Sequence, residues 1–174
     1  MSTRNLLGLA GLIVASATAM AAEGPQLGVA ATTADVAAWD ISIQPDGTGL
    51  PAGSGSVAKG KTVFLEKCAA CHNQEGAGQP FDRLVGGVGS LATDKPVKTV
   101  GSFWPYATTV FDYIRRAMPF QAPKSLTNDE VYSLTAYLLS LNGVVKSNAV
   151  LDAKSLPRVK MPNRDGFVLV YPEK

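Results

Sequence analysis

Cys68, Cys71 and His72 fall within five consecutive positions of the stretch LEKCAACHNQEGAGQP, and they are the only cysteines and the only histidine in 174 residues. C-x-x-C-H is the covalent attachment signature of a c-type haem. The two thiols add across the vinyl groups of the porphyrin, and the imidazole beside the second thiol reaches the iron from the proximal side. Two rival uses are weaker. A disulfide or redox dithiol is chemically open to an exported chain, yet it has no need of an adjacent histidine. A structural zinc site needs four ligands, and three residues with no second cluster do not close a tetrahedron. The motif therefore predicts one covalent haem c, with Cys68 and Cys71 as thioether positions and His72 as an axial iron ligand.

Iron held by His72 needs a ligand on its other face or an open site. With no second histidine, bis-His ligation within one chain is excluded. Beyond the first 22 residues the methionines are Met118, in RAMPF, and Met161, in KMPNRDGF. Met118 is the expected distal ligand, because it sits in a loop that Pro119 stiffens just before the last helix. Met161 is the rival, in a charged tail where its plainer use is a surface clamp on the pocket. Thioether sulfur favours Fe(II) and raises the reduction potential. A six-coordinate iron has no vacancy for substrate, so the expected work is one-electron transfer, with no catalytic residue. Trp104, Tyr106 and Arg116 are candidates to meet the haem propionates. Lys61, Lys67, Lys95 and Lys98 flank the haem segments as a candidate docking rim.

These ligands need elements to position them. Residues 1–22 read as a cleaved secretory leader: Arg4 in a short basic region, an apolar run from Leu6 to Ala15, and Ala19-Met20-Ala21 before cleavage after Ala21 or Ala22. The run is shorter than the roughly 20 apolar residues that span a bilayer. Periplasmic export without stable membrane insertion is the expectation. Removing the leader takes away one basic residue of 16, set against 14 acidic ones. Such a balance lacks the basic face that nucleic-acid binding requires.

Residues 23–55 carry turn signals at Asp46-Gly47 and Pro51-Ala-Gly53 and read as an irregular arm, with Trp39 and Ile41 as candidate anchors, onto the chain's own core by preference or onto a partner. A haem domain is expected over 56–143 and an extended tail over 144–174. Val57, Gly60, Lys61, Phe64 and Lys67 recur at helical spacing after an N-cap at Ser54 or Ser56. Gly60 costs about 1 kcal/mol against Ala inside a helix, so it implies close approach of a second helix, with Phe64 and Tyr137 filling the contact. The Gly/Pro-punctuated stretch after His72 is long for a compact domain unless it surrounds something. A carbonyl near Pro80 is expected to take the second imidazole nitrogen and fix the ring. Val110, Tyr113, Ile114 and Ala117 mark a further helix that Pro119 stops. Thr127-x-x-Glu130 is a capping box opening a last helix, with Val131, Leu134, Leu138 and Leu141 as its apolar stripe and Asn142-Gly143 as its end.

CAACH, the AMPF loop and LTNDEVYSLTAYLLSLNG together resemble class I c-type cytochromes over roughly Ser56 to Gly143. AWDISIQPDGTGLPAGSGSV, PVKTVGSFWPYATTVFDYIRRAMPF and SLPRVKMPNRDGF further resemble the cytochrome c subunits of bacterial sulfane and sulfite dehydrogenases of sulfur-oxidation systems. The resemblance implies an all-α cytochrome c fold, three to four short helices around one haem. It implies a periplasmic carrier that takes electrons from a molybdenum-cofactor dehydrogenase subunit and passes them to another cytochrome. It also implies Cys68, Cys71, His72 and Met118 as the haem residues. Two other readings stay open from the residues. One is an acceptor for a quinoprotein alcohol or sugar dehydrogenase, whose cytochromes resemble the MP and SLT patterns. The other is a haem sensor or peroxidase with a displaceable methionine.

Overall fold

In the computed structural model residues 27–168, 170 and 171 are described, so the expected leader at 1–22 lies outside the described residues. Helix α2 (Val57–Lys67) starts where Ser56 Oγ accepts the Lys59 amide at 3.2 Å, the cap that its sequence announces. It buries Val57, Gly60, Val63 and Phe64 against α5 (Asn128–Leu141). The reciprocal capping box of Thr127 and Glu130 opens α5, with Glu130 Oε2 taking the Thr127 amide at 2.8 Å. Every residue of α5 from Val131 to Leu139 is buried, so the helix is a central rod and not the one-sided stripe expected of it. That follows from what surrounds it: α2 on one side, α4 (Ala107–Ala117) on another, and a strand on a third.

The strand is β1 (Ser54–Ser56), which pairs antiparallel with β2 (Val150–Asp152), Gly55 opposite Leu151. A Cβ on Gly55 would stand 2.6 Å from Ser133 Cα, so only glycine lets this strand lie on α5. The tail after residue 143 is thus not merely extended. It adds a strand and a short 3-10 turn (Leu156–Arg158), and it buries Leu151, Leu156 and Met161 in the common core.

The arm also departs from expectation. Thr33–Trp39 forms a seven-residue helix, α1, closed by a capping box between Thr32 and Asp35. None of its residues is buried. Trp39 is 77% exposed, its ring under the Lys124 ammonium at 4.6 Å, so it does not anchor the arm to the core. That task falls to the following stretch, where Ile43 and Leu50 pack on the core. Tyr132 Oη donates to the Pro51 carbonyl at 2.9 Å, and Asp129 Oδ1 accepts the Ser54 amide at 2.8 Å. In α4 the buried face is Ala107, Val110, Phe111 and Ile114. Tyr113, assigned to that face from its spacing, is half exposed.

Candidate functional site

Helix α2 runs straight into the motif. Cys68 ends α2 and starts α3 (Ala69–His72), and its carbonyl accepts the amides of Cys71 at 3.1 Å and His72 at 3.0 Å. One turn of helix therefore brings both thiols and the imidazole to the same wall of a cavity of about 460 Å3. The floor and sides are apolar, from Phe64, Val110, Ile114, Leu134 and Leu138. Pockets that enclose a small molecule or cofactor span roughly 300–1,000 Å3 and are mostly apolar with a few placed polar groups.

The loop after His72 is laced back onto the motif. Phe81 N donates to the Cys71 carbonyl at 3.1 Å and Gly78 N to the His72 carbonyl at 3.2 Å. This brings the Asp82 carbonyl to 3.0 Å from His72 Nδ1. A carbonyl only accepts, so Nδ1 is the donor of this bond, which fixes the ring and leaves Nε2 as the nitrogen available to a metal. The expected carbonyl lay near Pro80; the residue that supplies it is Asp82. A contribution absent from the sequence reading comes from Asn142, at the end of α5. Its Nδ2 donates to Leu84 O at 3.2 Å and Leu138 O at 2.9 Å, while its Oδ1 accepts Gly86 N at 3.0 Å. Asn142 thereby ties the wrapping loop to the central helix.

Met118 follows α4 directly, its amide still bonded to Ile114 O at 3.0 Å, and its side chain lines the cavity with the cysteines and His72. Met161 does not line it. It is 1% exposed in the hydrophobic core, which corrects its reading as a surface clamp on the pocket. Trp104 lines the cavity in an edge-on pair with Tyr113, ring centres 5.5 Å apart. Tyr106 and Arg116 do not line it. Tyr106 stacks against the Arg164 guanidinium at 4.1 Å, and Arg116 grips Asp112 one turn back at 2.8 and 3.2 Å. Of the four lysines assigned to a rim, Lys67 and Lys98 reach the wall, and Lys61 and Lys95 do not. Arg83, passed over in the sequence, joins them there.

The charges on the wall are three cations, Lys67, Arg83 and Lys98, against one acid, Asp82. A haem brings two carboxylates, so this surplus complements it in a chain of net charge only +2. Burial, reinforced by the neighbouring Cys71, pushes the Cys68 thiol up to about 11. Reactive redox thiols run the other way, with a thiolate stabilised near neutral pH. Two thiols, one oriented imidazole, one thioether, an apolar enclosure and a cationic wall fit a covalently held haem.

The family model for cytochrome c matches residues 57–142. Over a larger span the chain is similar to a chain of the sulfane dehydrogenase SoxCD from Paracoccus pantotrophus, with 43% identity and a TM-score of 0.77 across 86% of this chain and 72% of that one. This chain belongs to the cytochrome c family. The cytochrome is also similar to two proteins named thiosulfate dehydrogenase. It is 28% identical over 62% of its length to the one from Psychrobacter arcticus, and 28% identical over 68% to the one from Stutzerimonas stutzeri. It spans 34% and 38% of the length of those two relatives. Membership of the family implies covalent haem c and electron carriage, and the mostly helical fold expected from the sequence is the one observed. No helix among the described residues is long and apolar enough to cross a membrane.

Proposed function

We propose that this cytochrome holds one haem c, bonded to Cys68 and Cys71 and ligated by His72 and Met118, and that it carries single electrons in the periplasm. Its donor is a molybdenum-cofactor subunit that dehydrogenates a sulfur compound of the sulfane or sulfite class, and its acceptor is another cytochrome. The observation that carries the reading is convergence: both thiols, the imidazole and Met118 line one apolar cavity, and His72 Nδ1 is already engaged by Asp82 O. The 43% identity to a chain of a sulfane dehydrogenase supports the choice of donor.

Bound there, a haem supplies a one-electron iron couple. The protein's own residues do the rest. Cys68 and Cys71 tether the group, so it is retained in both oxidation states. The Asp82 carbonyl holds Nδ1 and so fixes the orientation of the His72 ring. Phe64, Leu134 and Leu138 exclude water, which strengthens the influence of every charge on the wall. Phe81 and Phe120 line the cavity and are exposed, 56% and 76%, offering an apolar rim across which an electron passes to a partner.

The test is to produce the chain with haem-maturation machinery and mix it with purified sulfane, sulfite and alcohol dehydrogenase subunits. Rapid reduction by a sulfur-compound dehydrogenase, and not by the alcohol enzyme, is expected. Reduction by the alcohol enzyme alone overturns the donor assignment. A thiosulfate-fed donor is the second reading, favoured by the two thiosulfate dehydrogenase relatives; the same assay with thiosulfate decides it.

A further inference from the structure

Three cations line the haem cavity, and they differ in what else holds them. Lys67 is committed to Glu130 at 2.6 Å. Arg83 gives its Nε to the Ala77 carbonyl at 3.2 Å, within the loop that orients His72. Lys98 has no carboxylate partner among the described residues. Its ammonium instead sits 5.0 Å from the centre of the Phe103 ring.

That ring is clasped from the C-terminal tail. Phe167 meets it edge-on at 5.3 Å, and Asn163 Nδ2 donates to the Phe103 carbonyl at 2.7 Å. The tail is itself pinned two residues earlier by Met161, which is buried in the core. A segment far away in the chain thus fixes the aromatic seat of a cation in the cavity wall. Lysine is a compact point charge on a flexible stem. A seat that restrains it decides where its field acts.

We propose that Lys98 supplies positive charge toward the propionates of the haem, and that Asn163 and Phe167 position it by holding Phe103 beneath its ammonium. The proposal rests on the reading of the cavity as a haem site. The titratable groups lining that cavity are Lys67, Asp82, Arg83, Lys98 and Tyr113, beside Cys68, Cys71 and His72. Lys98 is therefore one of three positive charges set against a single acid. A positive charge near the haem favours the added electron, and an opposite charge favours the ionised carboxylate. Loss of Lys98 lowers the reduction potential. It also raises the propionate pKa, moving to higher pH the point at which the potential begins to fall.

The experiment is a spectroelectrochemical titration of the haem-loaded protein across pH, for wild type, K98Q, K98R, N163A and K61Q. Lys61 is a control, an exposed lysine outside the cavity wall. Expected for K98Q are a lower potential at alkaline pH and a break displaced upward, with K98R close to wild type and K61Q unchanged. N163A moves both in the direction of K98Q by a smaller amount. A K98Q profile that superimposes on wild type, or a K61Q shift of equal size, overturns the role of Lys98. An N163A profile identical to wild type overturns positioning by the tail. Colourless wild-type protein would sink the haem reading itself, an outcome visible before any titration begins.

Discussion

Gly60 of α2 and Tyr137 of α5 meet where the two helices cross, so closely that a Cβ on Gly60 would stand 2.7 Å from the Tyr137 Cβ and overlap the Ser133 carbonyl. The ring of Phe64, one turn along α2, packs at 5.4 Å from that of Tyr137. Two effects of Gly60→Ala oppose each other. Helix propensity favours alanine by about 1 kcal/mol, whereas overpacking a close contact costs about 1–3 kcal/mol. The obstacle here is backbone as well as side chain, so overpacking wins. A net loss of stability is expected in denaturant unfolding of the haem-loaded protein. A variant as stable as wild type would show that α2 can back away from α5.

The two methionines separate by variant. With Met118 as the proposed distal ligand, Met118→Ala is expected to remove the weak methionine-to-ferric-iron band at the red end of the spectrum and to open the haem to carbon monoxide, with modest loss of stability because the residue is only half buried. Met161→Ala leaves band and gas response alone but costs about 2–5 kcal/mol, the range for emptying a packed methionine site. Loss of the band in the Met161 variant alone would reverse the assignment.

Glu130 links the cap of α5 to the end of α2. The Lys67 ammonium, followed by the Thr127 amide, holds its carboxyl below the usual carboxylate range. The ionised form is therefore favoured in the fold. Its stabilisation is present above the unfolded glutamate value of about 4.3 and drains away as pH falls through the lower folded value. Glu130→Gln keeps the capping geometry and removes the charge. The expected gap in melting temperature between wild type and this variant is small, as for an exposed pair worth about 0.2–1 kcal/mol, open at pH 7 and closed in strong acid. A gap that persists unchanged in acid would assign the effect to packing instead.

Much of this was legible because it was local. The C-x-x-C-H run, the Ser56 and Thr127 caps and the Gly60–Phe64 spacing each declare themselves within a few residues. Met118 was legible through its place before the last helix, and it does line the cavity. Features that depend on distant segments were not. The pairing of Ser54–Ser56 with Val150–Asp152 joins opposite ends of the described chain through three-residue strands that carry no alternating pattern. Met161 lies amid lysine, arginine and aspartate, so its surroundings in sequence gave no hint of burial. Tyr106 and Arg116 were assigned to the haem by residue type, but nearer partners, Arg164 and Asp112, had claimed them. The arm helix did have a signal, Thr32-x-x-Asp35, which its many small residues masked.

The arm and the tail therefore contribute to stability in opposite measure to their hydrophobic look. Trp39 is a large aromatic, yet it is 77% exposed with its ring against the Lys124 ammonium, and an exposed cation–π pair is worth about 0.5–1 kcal/mol. Leu156 sits in a stretch of lysines, prolines and arginines, yet it is fully buried in the core. Trp39→Ala is expected to lose no more than about 1 kcal/mol, and Leu156→Ala about 2–5 kcal/mol, in unfolding of the haem-loaded protein. The tail is then part of the folding unit, and α1 is not. Equal losses would mean that α1 packs on the core more closely than its exposure implies, and a harmless Leu156→Ala would detach the tail from the core.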